Sequence, residues 1–213
     1  GLTWGGSILR PEATGYGACY FGQAMLATRG ESYAGKDVVI SGSGNVAQYA
    51  AEKALALGAR VLTMSDSNGY IYDPDGIDSD KLQYIFELKN MLRGRIRQYV
   101  DKYPTAQYFE GERPWSVKCD IAMPCATQNE LNGEDADMIL ANKPLCVAEV
   151  SNMGCTAEAV SKFIAARQLF APGKAVNAGG VATSGLEMTQ NSERIAWTGE
   201  EVDQKLHHIM SGI

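Results

Sequence analysis

The sequence predicts an α/β fold, a doubly wound and mostly parallel sheet with flanking helices. Three observations predict it. Val38-Val39-Ile40 is an apolar run that turns through Gly42-Ser43-Gly44 into a helical pattern, as a buried parallel strand does when a tight turn hands it to a helix. A second apolar run, Arg60 to Ser65, ends at an acid, Asp66, 24 residues beyond Gly42. Three later apolar segments each run into a small polar loop, the pattern of strand ends in an open α/β sheet.

Length and composition bound the function. At 213 residues the chain is long enough to bury a sizeable core, and we read it as one domain over 1–213. With 45% hydrophobic and 21% charged residues and a net charge of −6 it has the balance of an ordinary soluble protein. It has no basic block or stripe to hold nucleic acid or an anionic membrane, so neither is expected as a partner. Five cysteines without CxxC or His/Cys ligand spacing argue against a disulfide framework or a metal site. A reducing cytoplasm is the simplest compartment. Cys125 reads either as a nucleophile, with only His207 and His208 to serve it, or as a buried structural thiol. No apolar run approaches the ~18 residues of a membrane span.

The elements follow in order. The chain opens on Gly1 rather than methionine, so a piece of a longer protein is expected. Arg10-Pro11-Glu12-Ala13-Thr14 reads as a helix start, and that helix runs to about Arg29 and is closed by Gly30. Arg10 and Thr14 share its first end, where Thr14 either meets a ligand or merely packs. After the glycine turn, Val46, Ala50, Ala54 and Leu57 mark one helix face, stopped by Gly58. Ser67 to Gly76 reads as turn, short strand and turn, a local excursion. Asp78 or Ser79 caps the next helix. Its stripe of Leu82, Ile85, Phe86, Leu92, Ile96, Tyr99, Val100 and Tyr103 is the cleanest periodic signal in the chain, and Lys89 falls on it. That lysine either snorkels along its own stem or meets an anion such as a ligand phosphate, with Arg93, Arg95 and Arg97 making the neighbourhood basic.

Ala106 to Phe109 can form a strand, and Cys119 to Met123 forms one that runs into Pro124-Cys125-Ala126-Thr127-Gln128-Asn129. A short helix near Asp135 to Asn142 precedes strand Leu145 to Val150 and the loop Ser151-Asn152-Met153-Gly154. Helix Thr156 to Arg167, strand Leu169 to Pro172 and loop Asn177 to Val181 follow. The last segment, Glu187 to His208, reads as helical with a break near Thr198-Gly199. Asn and Thr at three successive strand ends look like a cleft lining, since a carboxamide side chain both donates and accepts.

The glycine turn carries the chemistry. A dinucleotide site needs a glycine that bends the chain, another that lets bare amides approach a pyrophosphate, and a helix N-terminus aimed at its charge. Gly42 makes the bend, Gly44 the close approach, and Ala47 the tight packing of helix on strand. Asp66 stands close to the roughly 20 residues expected for a ribose-binding acid.

Together, Arg10-Pro11-Glu12-Ala13-Thr14-Gly15-Tyr16-Gly17, Gly42-Ser43-Gly44-Asn45-Val46-Ala47, Pro124 to Asn129, and Asn177-Ala178-Gly179-Gly180-Val181 with Ser184-Gly185 closely resemble the coenzyme-binding, Rossmann-like domain of the hexameric bacterial glutamate dehydrogenases. The resemblance covers essentially the whole chain. It implies oxidative deamination of L-glutamate to 2-oxoglutarate and ammonium with NADP or NAD, and a homo-oligomer, a hexamer. It also implies that Arg10 and Thr14 approach the nicotinamide end and that Gly42, Ser43, Gly44, Asn45 and Val46 hold the pyrophosphate. Asp66 and Ser67 would sit at the adenosine ribose. Ala126, Thr127, Asn152 and Asn177 would line the nicotinamide half, and Ser184 would contact the substrate's distal carboxylate. The family's catalytic lysine and aspartate belong to a preceding domain absent from this sequence, and its closing helices lie beyond Ile213. No catalytic residue is therefore expected here, and the chain alone should turn nothing over.

Two features qualify the resemblance. The family commonly reads Ala-Asn-Met-Pro where this chain has Ser151-Asn152-Met153-Gly154, so a freer loop is expected around Asn152. Asp66 favours the free 2′-hydroxyl of NAD, whereas Ser67 with Lys89 and Arg95 favours a 2′-phosphate, and the balance leans to NADP with NAD, or both, as the alternative. The rival readings are a leucine, valine or phenylalanine dehydrogenase of the same superfamily, against which Ser184 speaks, and a non-catalytic nucleotide-sensing module.

Overall fold

A computed structural model describes residues 12–176, 178, 182 and 198–212. The positions Arg10, Asn177 and Ser184 lie outside the described residues, as do residues 179–181 and the whole stretch from Glu187 to Trp197.

Helix α1 (Ala13–Ala27) comes first, and Gly30 follows it at φ +69°. Strand β1 (Asp37–Ile40) leads through the glycine turn into α2 (Asn45–Ala56), which is closed by Gly58 at φ +88°. After α2 come β2 (Arg60–Asp66) and β3 (Gly69–Tyr72), then α3 (Ser79–Phe86), whose Asp78 accepts the Lys81 amide as its cap. The short α4 (Tyr99–Lys102), β4 (Gln107–Glu110) and β5 (Ile121–Met123) lead to α5 (Gly133–Ala141) and β6 (Cys146–Ala148). Then α6 (Ala157–Ala165), β7 (Phe170–Ala171), α7 (Gly173–Val176) and α8 (Gly199–Ser211) complete the described order. Thr198, at the anticipated break, caps α8.

The described strands form one seven-stranded sheet in the order β4-β3-β2-β1-β5-β6-β7. Strands β2, β1, β5, β6 and β7 pair in parallel. The supposed local excursion after Asp66 instead extends the sheet: β3 pairs antiparallel with β2, and β4 with β3. The short turn at Ser67-Asn68 leaves no room for a crossover helix, so the chain can only fold straight back.

Because side chains alternate across a strand, the central strands serve two cores. Val38 and Ile40 of β1 and Ile121 and Met123 of β5 face the core that holds Ala47, Ala50 and Ala54 of α2, while Val39, Ala122 and Val147 face Ala136, Ala159 and Phe163 of α5 and α6. Where the β1–β2 register shifts, the Thr63 hydroxyl accepts from the Ile40 amide at 3.1 Å and donates to its carbonyl at 2.9 Å. This patch keeps the buried ladder satisfied.

Helix α1 lies directly on α2. A Cβ on Gly15 would stand 2.5 Å from the Ala50 nitrogen and 2.9 Å from the Val46 carbonyl oxygen, so only glycine permits the crossing. Helix α8 returns to α1 through a 2.6 Å hydrogen bond from Tyr20 to Asp203.

The strongest periodic signal is the one the structure corrects. The stripe from Leu82 to Tyr103 is not one helix: α3 ends at Phe86, a wide π-type turn spans Glu87–Met91, and a single tight turn (Ile96–Gln98) precedes α4. The break has two causes. Arg93 takes a left-handed φ of 50°, and the Ile96 amide is captured by the Asp66 carboxylate at 2.9 Å, which a continuous helix would not allow. Leu92, placed on the apolar stripe by its spacing, is 72% exposed as a result.

Candidate functional site

Strand order reverses at β1, with β2 on one side and β5 on the other. A crevice forms there outside the carboxyl ends of the strands, the position at which open α/β sheets bind ligands. A cleft of about 630 Å³ occupies it, lined by residues 42–46, 65–67, 125–127, Gly69, 111–113 and Glu130.

The turn is built for a close visitor. Gly42 sits at φ +86°, and a Cβ there would stand 2.9 Å from the Cys125 carbonyl oxygen. The turn is pinned to β2, since the Gly42 amide donates to Ser65 Oγ at 2.7 Å and the Ser65 amide donates back to the Gly42 carbonyl at 3.0 Å. Gly44 differs. Its φ is −81° and no atom of the described residues lies within 4 Å of the position a Cβ would take, so nothing among them requires glycine there. No side chain caps the first turn of α2. Bare helix amides, a positive dipole end and an open approach are the features a diphosphate fits.

On the β2 side, Asp66 is heavily engaged. Its Oδ1 accepts the Asn68 amide at 2.9 Å, its Oδ2 accepts the Ile96 amide, and Arg95 Nε lies 3.2 Å from that same oxygen. Arg95 also donates to Ser67 Oγ at 2.8 Å. The acid therefore holds the arginine beside the serine. Lys89 donates to the Gly94 carbonyl at 3.1 Å, and burial lowers its pKa while Asp66 opposes that shift. Lys89 and Arg95 do not line the cleft itself; Arg95 reaches its wall through Asp66 and Ser67.

On the β5 side, Ala126 and Thr127 line the cleft, and Glu130 folds under them. Its carboxylate accepts the Ala126 amide at 2.9 Å; burial raises its pKa, while Ser41, the Ala126 and Thr127 amides and Arg113 pull it down. Glu130, Glu112, Arg113, Gly69 and Gly111 are cleft residues that the sequence reading missed. Arg113 carries the clearest overlooked signal, a cation in the turn Gly111-Glu112-Arg113-Pro114 that directly follows β4. Cys125 is 6% exposed, and burial holds its thiol well above the ordinary range, which fits the structural reading rather than a nucleophile.

Asn152 and Thr14 lie outside the cleft lining. The loop carrying Asn152 abuts the Ala126–Thr127 loop: the Asn129 amide donates to the Met153 carbonyl at 2.8 Å, and the Leu131 amide to that of Gly154 at 3.0 Å. Rather than hanging free, this loop is fastened. Ser151 Oγ donates to the Pro124 carbonyl at 3.2 Å, and buried Glu149 accepts the Cys155 amide at 2.8 Å and the Gly173 amide at 2.6 Å. Gly173 makes room for that carboxylate, since a Cβ there would stand 2.7 Å from Glu149 Oε1.

Residues 5–213 match the sequence profile of the Glutamate/Leucine/Phenylalanine/Valine dehydrogenase family. The chain belongs to this family.

Among curated dehydrogenases of the family, an NADP-specific glutamate dehydrogenase from Haemophilus influenzae is 60% identical over the full 213 residues, which make up 47% of its own length. An NAD(P)-specific glutamate dehydrogenase from Xylanibacter ruminicola is 61% identical over the same span, 48% of its length. The crystal structure of Plasmodium falciparum glutamate dehydrogenase superposes with a TM-score of 0.95 at 45% identity, covering 99% of this chain and 45% of that one. The chain thus spans about half the length of the dehydrogenases it matches. Among the described residues, no helix is long and apolar enough to cross a membrane, and no cluster of His, Cys, Asp and Glu could hold a metal ion.

Proposed function

We propose that the chain is a single dinucleotide-binding domain of an NAD(P)-dependent glutamate dehydrogenase. The reaction is the conversion of L-glutamate, NAD(P)+ and water to 2-oxoglutarate, ammonium and NAD(P)H. One observation carries the binding role: at the topological switch point, Gly44 opens an uncapped helix N-terminus toward a cleft, and none of the described residues comes within 4 Å of where its Cβ would stand. The relatives' names supply the substrate, and their greater length fits a catalytic lysine and aspartate outside this chain.

The nicotinamide coenzyme supplies hydride acceptance and donation. The residues of this chain hold and orient it. Gly42, Ser43, Gly44, Asn45 and Val46 present amides to its diphosphate, and Asp66 and Ser67 meet the adenosine ribose. Ala126, Thr127 and Asn152, with Arg10, Thr14 and Asn177, serve the nicotinamide half, and Ser184 the substrate carboxylate. The Asp66–Arg95–Ser67 arrangement favours NADP, because the acid's charge is already spent on Arg95 while the guanidinium and the hydroxyl sit side by side, with Lys89 behind them. We assign the protein to the cytoplasm and expect a hexamer.

Fluorescence titration with NADPH and NADH tests the binding role. Saturable binding of both, tighter for NADPH, is the expected result, and absence of binding overturns it. Offering glutamate, leucine, valine and phenylalanine in turn to a protein that includes the preceding domain tests the substrate. The 213-residue chain alone should show no glutamate oxidation.

A further inference from the structure

We propose that Arg113 is a binding residue for the diphosphate of the coenzyme, which extends the dinucleotide reading and rests on it. The cleft is poor in positive charge. Among the described residues that line it, Arg113 is the one cation, against the carboxylates of Asp66, Glu112 and Glu130. A dianion entering such a cleft meets the partial positive charge at the α2 N-terminus, and a full positive charge on the cleft wall adds to that attraction. Asp66 has its own cation in Arg95, which also donates to Ser67, whereas Glu130 accepts the Ala126 amide on its carboxylate. Arg113 lies on the cleft wall formed by the turn after β4.

Its geometry suits the task. The buried Asp135 carboxylate, 3% exposed, takes Arg113 Nη2 at 2.8 Å and is itself locked by the Asn132 amide in the capping box at the start of α5. The guanidinium is thereby anchored from behind. Yet 49% of the side chain remains exposed, and a guanidinium carries more donors than one carboxylate contact uses. A planar fork held on one side and open on the other gives directed recognition of a phosphate oxygen pair at little entropic cost.

Two experiments test this. In Arg113→Gln the charge is removed while a hydrogen bond to Asp135 is kept. The dissociation constant for NADPH should rise by about tenfold or more with an unchanged circular dichroism spectrum, and Arg113→Lys should recover part of the loss. The second needs no variant. Phenylglyoxal modification of Arg113 in the wild-type protein, followed by peptide mass spectrometry, should be slowed by saturating ADP-ribose and not by adenosine, which lacks the diphosphate. An Arg113→Gln protein that binds NADPH within about twofold of wild type, or an arginine modified equally fast with and without ADP-ribose, overturns the assignment. A wild-type protein that binds no dinucleotide defeats the reading of the whole cleft. Normal wild-type binding with an indifferent Arg113 defeats this inference alone.

Discussion

The hydroxyl of Ser151 occupies the space that a β-carbon on residue 154 would need, so Ser151 and Gly154 form a matched pair. The hydroxyl fills the space that the absent side chain at position 154 leaves, and it ties the loop to the Pro124 carbonyl. That carbonyl also accepts the Val150 and Ser151 amides, so losing the hydroxyl leaves it satisfied.

Gly154→Ala should therefore destabilise the protein by about 1 kcal/mol, roughly the worth of the displaced hydrogen bond. Ser151→Ala alone should cost less, and the double variant should cost no more than Gly154→Ala alone, because both changes forfeit the same hydrogen bond. A double-mutant cycle from denaturant unfolding checks this. Additive losses would show that the two positions are not matched.

The two glycines of the turn should separate stability from binding. Gly42→Ala forces a side chain into a left-handed φ and against the Cys125 carbonyl, and should cost about 2 kcal/mol or more of stability along with coenzyme binding. Gly44→Ala meets no protein atom, so stability should change by less than about 1 kcal/mol while the NADPH dissociation constant rises by about tenfold or more. Thermal melts beside fluorescence titrations check both.

Arg95→Ala should weaken NADPH by about tenfold and NADH far less, because it removes the cation proposed to meet the 2′-phosphate and takes away the partner of Asp66. Lys89→Ala should act in the same direction. Unchanged NADPH affinity in both variants would remove the argument for NADP.

All five cysteines are buried, and burial pushes the thiols of Cys19, Cys119 and Cys146 up to about 12 from the ordinary 9.0. Their folded pKa values exceed the unfolded ones, so the unfolded chain loses these protons first. Stability should be flat below about pH 9 and fall as pH rises toward 12, by up to about 1.4 kcal/mol per pH unit for each thiol. Melting temperatures across that range check the sign, and a thiol-specific reagent at pH 8 should label the native protein only at the rate of unfolding.

The architecture was legible because the signals at its centre are local and redundant. Val38 to Ile40, Gly42, Gly44 and Asp66 each constrain the same strand–turn–helix–strand unit, and the small polar loops mark strand ends whatever the packing around them. The break at Arg93 to Ile96 was hidden because its cause is distant: Asp66, thirty residues earlier in the chain, takes the Ile96 amide that helical spacing had counted as internal. Arg113 and Glu130 were overlooked for a similar reason. A turn between strands declares no ligand, and only the return of β3 and β4 alongside β2 carries residues 111–113 to the cleft.

The seating of Gly15 on α2 fixes how any motion must propagate. Backbone presses on backbone there, with no side chain between them to yield, so α1 cannot slide without dragging along the first turns of α2. The end of α1 that bears Thr14 and the amides that follow Gly44 are thus the two arms of one stiff lever.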